Sequence, residues 1–214
     1  MSFSGFARRT WPLALLLAFG HAHAGTFDIT IGTNFLGGSP AVLVFDLIDG
    51  GPPDNAVTVD ALASDGVQGP ISTIGNVTGT GPWTLSDAGG SFFNELQIPF
   101  DPTGASVSFS FTTSNNPPGS GSLPDAFSFF ILGLDLLTPL VTTDDPTGAD
   151  AIFLYSAGKG AAGLSVYAAD QSDFSIQVAS PQSVPEPGAL DLLLAAVMAL
   201  APRCAARGGR PRTR

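Results

Sequence analysis

The stretch Ala105-Ser106-Val107-Ser108-Phe109-Ser110-Phe111 alternates small and large apolar residues with serines. In an extended chain, period two puts Ala105, Val107, Phe109 and Phe111 on one side and the three serines on the other. A helix would scatter the same residues around its circumference and leave no apolar stripe. The segment therefore demands a sheet with one buried face. Similar short segments fill the middle of the chain, and strands are expected at Thr26–Ile31, Ala41–Ile48, Ala56–Leu62, Ile71–Val77, Trp83–Ser86 and Phe92–Ile98. Further strands are expected at Ala105–Thr113, Ala126–Leu134, Ala151–Ser156, Leu164–Ala168 and Phe174–Ala179. Phe127-Ser128-Phe129-Phe130-Ile131 is more apolar than that alternating stretch and predicts a central strand.

Turn-forming clusters punctuate these segments: Asp49-Gly50-Gly51-Pro52-Pro53, Asn115-Asn116-Pro117-Pro118-Gly119 and Asp144-Asp145-Pro146-Thr147-Gly148. Gly, Pro, Asn and Asp each favour tight turns, and their recurrence between short strands predicts a sandwich or barrel. No segment between Thr26 and Ala179 predicts a helix of useful length. The expected fold is an all-β antiparallel β-sandwich, jelly-roll-like, which accommodates many short antiparallel strands. It is flanked by an N-terminal signal helix and a short C-terminal hydrophobic helix.

Charge narrows the partners. Residues 25–184 hold sixteen acidic residues and one basic residue, Lys159, for a net charge of about −15. Such a surface repels nucleic acid and anionic lipid. Chemistry is narrowed by absence. His21 and His23 precede residue 25, and Cys204 follows residue 184, so the expected mature domain lacks histidine, cysteine and arginine. A Ser-His-Asp or Cys-His triad cannot be built, nor a zinc site on imidazole or thiolate.

Glu95 is the only glutamate of the domain. A glycosidase would have to pair it with an aspartate, or use two aspartates. No catalytic residue is assigned on these grounds, and the expectation is a protein that is not an enzyme. Two aspartate clusters leave calcium open as a cofactor, although neither follows the EF-hand spacing and no metal ligand is assigned. One is Asp144, Asp145 and Asp150; the other is Asp46, Asp49 and Asp54. Trp83, Tyr155 and Tyr167 are the rings that sugar stacking would use.

Both ends read as addresses. Arg8 and Arg9 precede a short apolar run, Trp11 to Phe19, and Ala22-His23-Ala24 supplies a small-x-small site before Gly25. That order is a secretory signal peptide over 1–24, with signal peptidase expected to cut between Ala24 and Gly25. At the other end, Val184-Pro185-Glu186-Pro187-Gly188 leads into an apolar run at 189–201. Arg203, Arg207, Arg210, Arg212 and Arg214 follow. The two prolines hold the chain extended, the Leu- and Ala-rich run favours a helix, and the arginines fix its inner end. Thirteen helical residues rise about 20 Å against a hydrocarbon core of about 30 Å, which suits a transient anchor.

This tail resembles the PEP-CTERM sorting signal, with Pro185, Glu186 and Pro187 matching its tripeptide one for one. Asp191 within the apolar run and Pro202 just beyond it depart from a smooth membrane helix. The resemblance implies an exosortase substrate in a bacterium that makes exopolysaccharide. The expected organisation is a signal peptide (1–24), an acidic β domain (25–180), and a linker with sorting tail (181–214). The expected function is that of a non-enzymatic surface or extracellular-matrix protein, exported across the inner membrane and associated with exopolysaccharide. The alternatives are a carbohydrate-binding module, with or without calcium, and an aspartate-based hydrolase.

Overall fold

The computed structural model describes residues 25–64, 66–103, 105–159 and 163–179. The signal peptide and the sorting tail, with Ala22, Ala24, Pro185–Pro187 and the terminal arginines, lie outside the described residues. The chain folds as an all-β, antiparallel structure. Its strands are β1 (Gly25–Gly32), β2 (Ala41–Ile48), β3 (Ala56–Ser64), β4 (Val67–Gln68), β5 (Ser72–Ile74), β6 (Val77–Gly79) and β7 (Trp83–Ser86). They continue with β8 (Phe93–Asp101), β9 (Ser106–Thr113), β10 (Ala126–Leu132), β11 (Phe153–Ser156), β12 (Leu164–Val166) and β13 (Ser175–Ala179). One short 3₁₀ turn, Asn34–Leu36, joins β1 to β2. No helix among the described residues is long and apolar enough to cross a membrane.

Two sheets form. One runs β13-β1-β9-β3-β7-β6, and the other runs β12-β11-β10-β2-β8-β4, with β5 also paired to β8. In β9, Val107, Phe109 and Phe111 are buried while Ser106, Ser108 and Ser110 stay partly open. In β2, Leu43, Phe45 and Leu47 join the core on the facing side. Phenylalanines meet across the gap. Phe45 of the second sheet packs edge-on against Phe109 of the first at 5.0 Å. Phe111 lies 5.1 Å from Phe127 and stacks on Phe153 at 5.4 Å. Aromatic pairs at such separations add about 0.5–1.5 kcal/mol each beyond the burial of their area.

Most expected strands form within one to three residues of their expected limits. The exception is the segment Ile71–Val77, which is two strands, β5 and β6, in different sheets. Gly75 divides them at φ +74°, and a Cβ there would approach the Phe93 carbonyl oxygen to 2.3 Å. Only glycine fits that turn. The short strand β4, paired with Phe100 and Asp101, was not expected. Its two exposed residues carry no amphipathic pattern to read.

Register places several connections at one end. Gly25 opposes Thr113, Ala56 opposes Ser86, and Ala126 opposes Ile48. The loops after β2, β7 and β9, and the residues entering β3 and β10, therefore share one end of their sheets. Asp28 also opposes Ala179, so the last strand finishes beside the beginning of the first.

The aromatic layer should dominate stability. Phe111→Ala is expected to cost about 3–5 kcal/mol, read as a lower urea midpoint with an unchanged slope. Ser110→Ala, on the opposite face of the same strand, should stay within about 0.5 kcal/mol of the parent.

Candidate carboxylate sites

Two groups of carboxylates come together in the folded chain. The first is a pair on the outer face of the second sheet. Asp46 of β2 and Glu95 of β8 are direct cross-strand partners, pointing away from the core that Phe45 and Leu47 enter. Gln97 donates through its Nε2 to Glu95 Oε1, and Ser72 Oγ donates to Gln97 Oε1 at 2.5 Å. Asp46 Oδ1 is buried without a hydrogen-bond donor among the described residues. Burial, then the neighbouring Glu95 charge and the hydrogen bond between the two carboxyls, push the Asp46 carboxyl up to about 8. The consistent arrangement near neutral pH is one proton held by Asp46 and donated to Glu95.

The second group closes the end of the sheets where the loops converge. Asp49 follows β2, Asp87 follows β7 and Asp125 precedes β10. One carboxylate oxygen from each lies within 4.8 Å of the other two. Asp87 and Asp125 are buried, each only 2% exposed. Backbone and amide donors orient the three. Gly51 N–H donates to Asp49 Oδ1 at 2.5 Å and Gly50 N–H to Asp125 Oδ1 at 2.7 Å. Asn55 serves twice, its N–H donating to Asp87 Oδ1 at 2.7 Å and its Nδ2 to Asp125 Oδ2 at 2.6 Å.

Asn55 is itself held in place. Its Oδ1 accepts from Asn116 N at 2.8 Å and from Ser114 Oγ at 3.1 Å. One oxygen is left over: Asp87 Oδ2 is buried with no donor among the described residues. Burial raises the Asp87 carboxyl, the Asn55 N–H opposes that rise, and the charge of Asp125, a hydrogen bond between those two carboxyls and the charge of Asp49 add to it, leaving it at about 7.

The clusters read from the sequence are dispersed or otherwise engaged. Asp46, Asp49 and Asp54 do not converge: Asp46 joins Glu95 and Asp49 joins Asp87 and Asp125. Around Pro146, the aspartates brace a loop. Asp145 accepts from Thr147 N–H at 2.9 Å, Thr147 Oγ1 at 2.8 Å and Ala151 N–H at 3.2 Å. Burial works against its ionisation, but those donors outweigh burial and hold the carboxyl below its usual range. Asp144 accepts from Ala168 N–H and Asp150 from Thr143 N–H.

Trp83 and Tyr155 are buried in the core, Tyr155 completely, and only Tyr167 stays partly open. Elsewhere, an open groove beside β4 and β8 is lined by Pro40, Val67, Gly69, Pro99 and Leu134, with Asp101 its single ionisable group. No family model, curated protein or solved structure matches the chain.

The Asp46–Glu95 pair sets a pH dependence. An unfolded Asp46 releases its proton near pH 3.8, whereas the folded one holds it to about 8. Below pH 4 both states are protonated and the group is neutral to stability. Between 4 and 8 only the folded state keeps the proton, so stability falls as pH rises. Asp46→Asn removes that slope while its amide donates to Glu95. It should stabilise the protein by on the order of 2 kcal/mol at pH 8 and leave it unchanged at pH 4, as read by chemical denaturation at the two pH values.

Proposed function

We propose that the chain is an exported, exosortase-processed bacterial surface or extracellular-matrix protein. Its β domain would act without catalysis and remain associated with exopolysaccharide. The observation that carries this reading is the C-terminal order of Pro185-Glu186-Pro187, an apolar run and five arginines, paired with a signal peptide at the other end. The fold is compatible with both cuts. β1 is paired from Gly25 onward, so a cut before Gly25 leaves every described strand whole. β13 ends at Ala179, ahead of the tripeptide, so a cut near Pro185 also spares the described strands.

The fold is read further as a jelly-roll sandwich. The orders β1-β9-β3-β7 and β2-β8-β4, with β5 on β8, form two four-stranded halves among which the chain passes repeatedly. Strands β10 to β12 widen one half, and β6 and β13 widen the other.

Two observations favour the non-enzymatic reading over its rivals. Glycoside hydrolysis separates its carboxyls by about 5–5.5 Å or 6.5–9.5 Å. Asp46 and Glu95 are in hydrogen-bond contact, which leaves no place for a scissile bond between them. Two of the three rings that a carbohydrate-binding surface would use, Trp83 and Tyr155, are spent in the core.

Replacing Pro185-Glu186-Pro187 by three alanines tests the sorting reading in a host with exosortase. The expected variant is exported normally but stays longer and membrane-associated, while the parent is shortened and released from that helix. Mass and fractionation of both forms provide the readout. An identical mature C-terminus in the same fraction would remove the sorting signal from the account.

A further inference from the structure

We propose that Asp49, Asp87 and Asp125 together bind one calcium ion, which clamps the loop end of the two sheets. The proposal stands on the folded geometry and is independent of how the chain is sorted. The three carboxylate oxygens lie within 4.8 Å of one another. Two oxygens on one calcium ion can be no further apart than about twice the metal–oxygen distance of 2.3–2.6 Å. Each pair is therefore within the span that one calcium ion bridges, and a small inward adjustment of the side chains brings all three onto it.

A second observation separates this group from an ordinary acidic cluster. Asp87 is 2% exposed, and its Oδ2 has no donor among the described residues, whereas Asp87 Oδ1, Asp49 Oδ1 and both oxygens of Asp125 accept one from the chain. A buried, unsatisfied carboxylate oxygen is costly unless a proton or a cation meets it. A proton would satisfy one contact between two carboxyls. A divalent ion would satisfy three.

The donor chemistry selects the ion. Three carboxylates are hard oxygen ligands, and with no imidazole or thiolate between residues 25 and 184 a zinc-type set is out of reach. Calcium accepts six to eight oxygens in flexible geometry and can complete its shell from loop carbonyls and water, whereas magnesium needs a near-ideal octahedron. The residues around the group act as its supports. Asn55 holds Asp87 and Asp125 at once, and Asn116 and Ser114 hold Asn55. This is the outer shell that orients ligands in metal sites. Asn55 enters β3 of one sheet and Asp125 enters β10 of the other, so an ion here couples the two sheets through their loops.

The test uses full-length protein stripped with chelator, then titrated with calcium chloride or magnesium chloride at pH 7.5 and constant ionic strength. Calorimetry should show one calcium per chain, and millimolar calcium should raise the melting temperature by about 5 °C. Magnesium should do markedly less. Asp87→Asn should abolish the calcium shift while leaving the calcium-free protein as stable as the parent or more so, because the amide keeps the Asn55 bond and donates to Asp125.

Asp49→Asn, at a partly exposed position, should weaken calcium at least tenfold without unfolding the chain. It decides the matter if Asp87→Asn does not fold. Asp144→Asn, in the loop braced through Ala168, should respond like the parent. No calcium shift in the parent at 10 mM, an equal response to magnesium, or an undiminished response in the Asp49 and Asp87 variants would each overturn the proposal.

Discussion

A domain with sixteen carboxylates and one lysine cannot neutralise its acids with cations of its own. Every carboxylate that approaches the interior must find some other partner, and the structure uses two kinds of solution. Asp145 is met by N–H and hydroxyl donors of its own loop, the ordinary chemistry of turn aspartates, which the surface residue Asp135 also shows. Asp135, fully exposed, is held down at about 2 by Thr138 Oγ1 and the backbone N–H groups of Leu137 and Thr138. Asp46 is met by a proton shared with Glu95. Asp87 combines the two, since Oδ1 accepts from Asn55 N–H and the carboxyl is hydrogen-bonded to that of Asp125, while its Oδ2 has no donor among the described residues.

The aromatic layer makes these carboxylate arrangements possible. Phe27, Phe45, Phe109, Phe111, Phe127, Phe129 and Phe153 fill the space between the sheets and hold the strands in register. Register then decides which acids meet. Asp46 opposes Glu95 because Phe45 opposes Leu96 in the core, one residue along. Asp125 reaches Asn55 because β10 and β3 begin at the same end of facing sheets. Burial of apolar rings thus supplies both the stability of the domain and the close approach of its charges.

Much of the sheet was legible from local pattern. The alternation from Ser106 to Phe111 survives unchanged, because period two is a property of the strand itself. The division of Ile71–Val77 was not legible, since Gly75 in an otherwise strand-like run shows nothing of the Phe93 carbonyl that forbids a side chain there. The carboxylate sites were legible only in part. Asp49 stands out within its Gly-Pro turn, but Asp87 and Asp125 each stand alone between small or turn-forming residues. The pairing of β2 with β10 brings Asp49 to Asp125, that of β3 with β7 brings Asp87 to Asn55, and the facing of the two sheets unites the pairs. The Glu95 partner was hidden for the same reason, a cross-strand neighbour being invisible until register is known.

Folding raises the Asp46 and Asp87 carboxyls to near neutrality by the same means, burial first and a neighbouring carboxylate next, and only Asp87 stands in a group that a cation can join. Carbon-13 NMR of aspartate side-chain carboxyls, followed from pH 3 to pH 9 with and without calcium, measures this directly. The account predicts that Asp46 titrates near 8 in both series. It predicts that Asp87 titrates near 7 without calcium and moves well below its usual range when calcium is present. Both carboxyls titrating near 4 in the absence of calcium would contradict it.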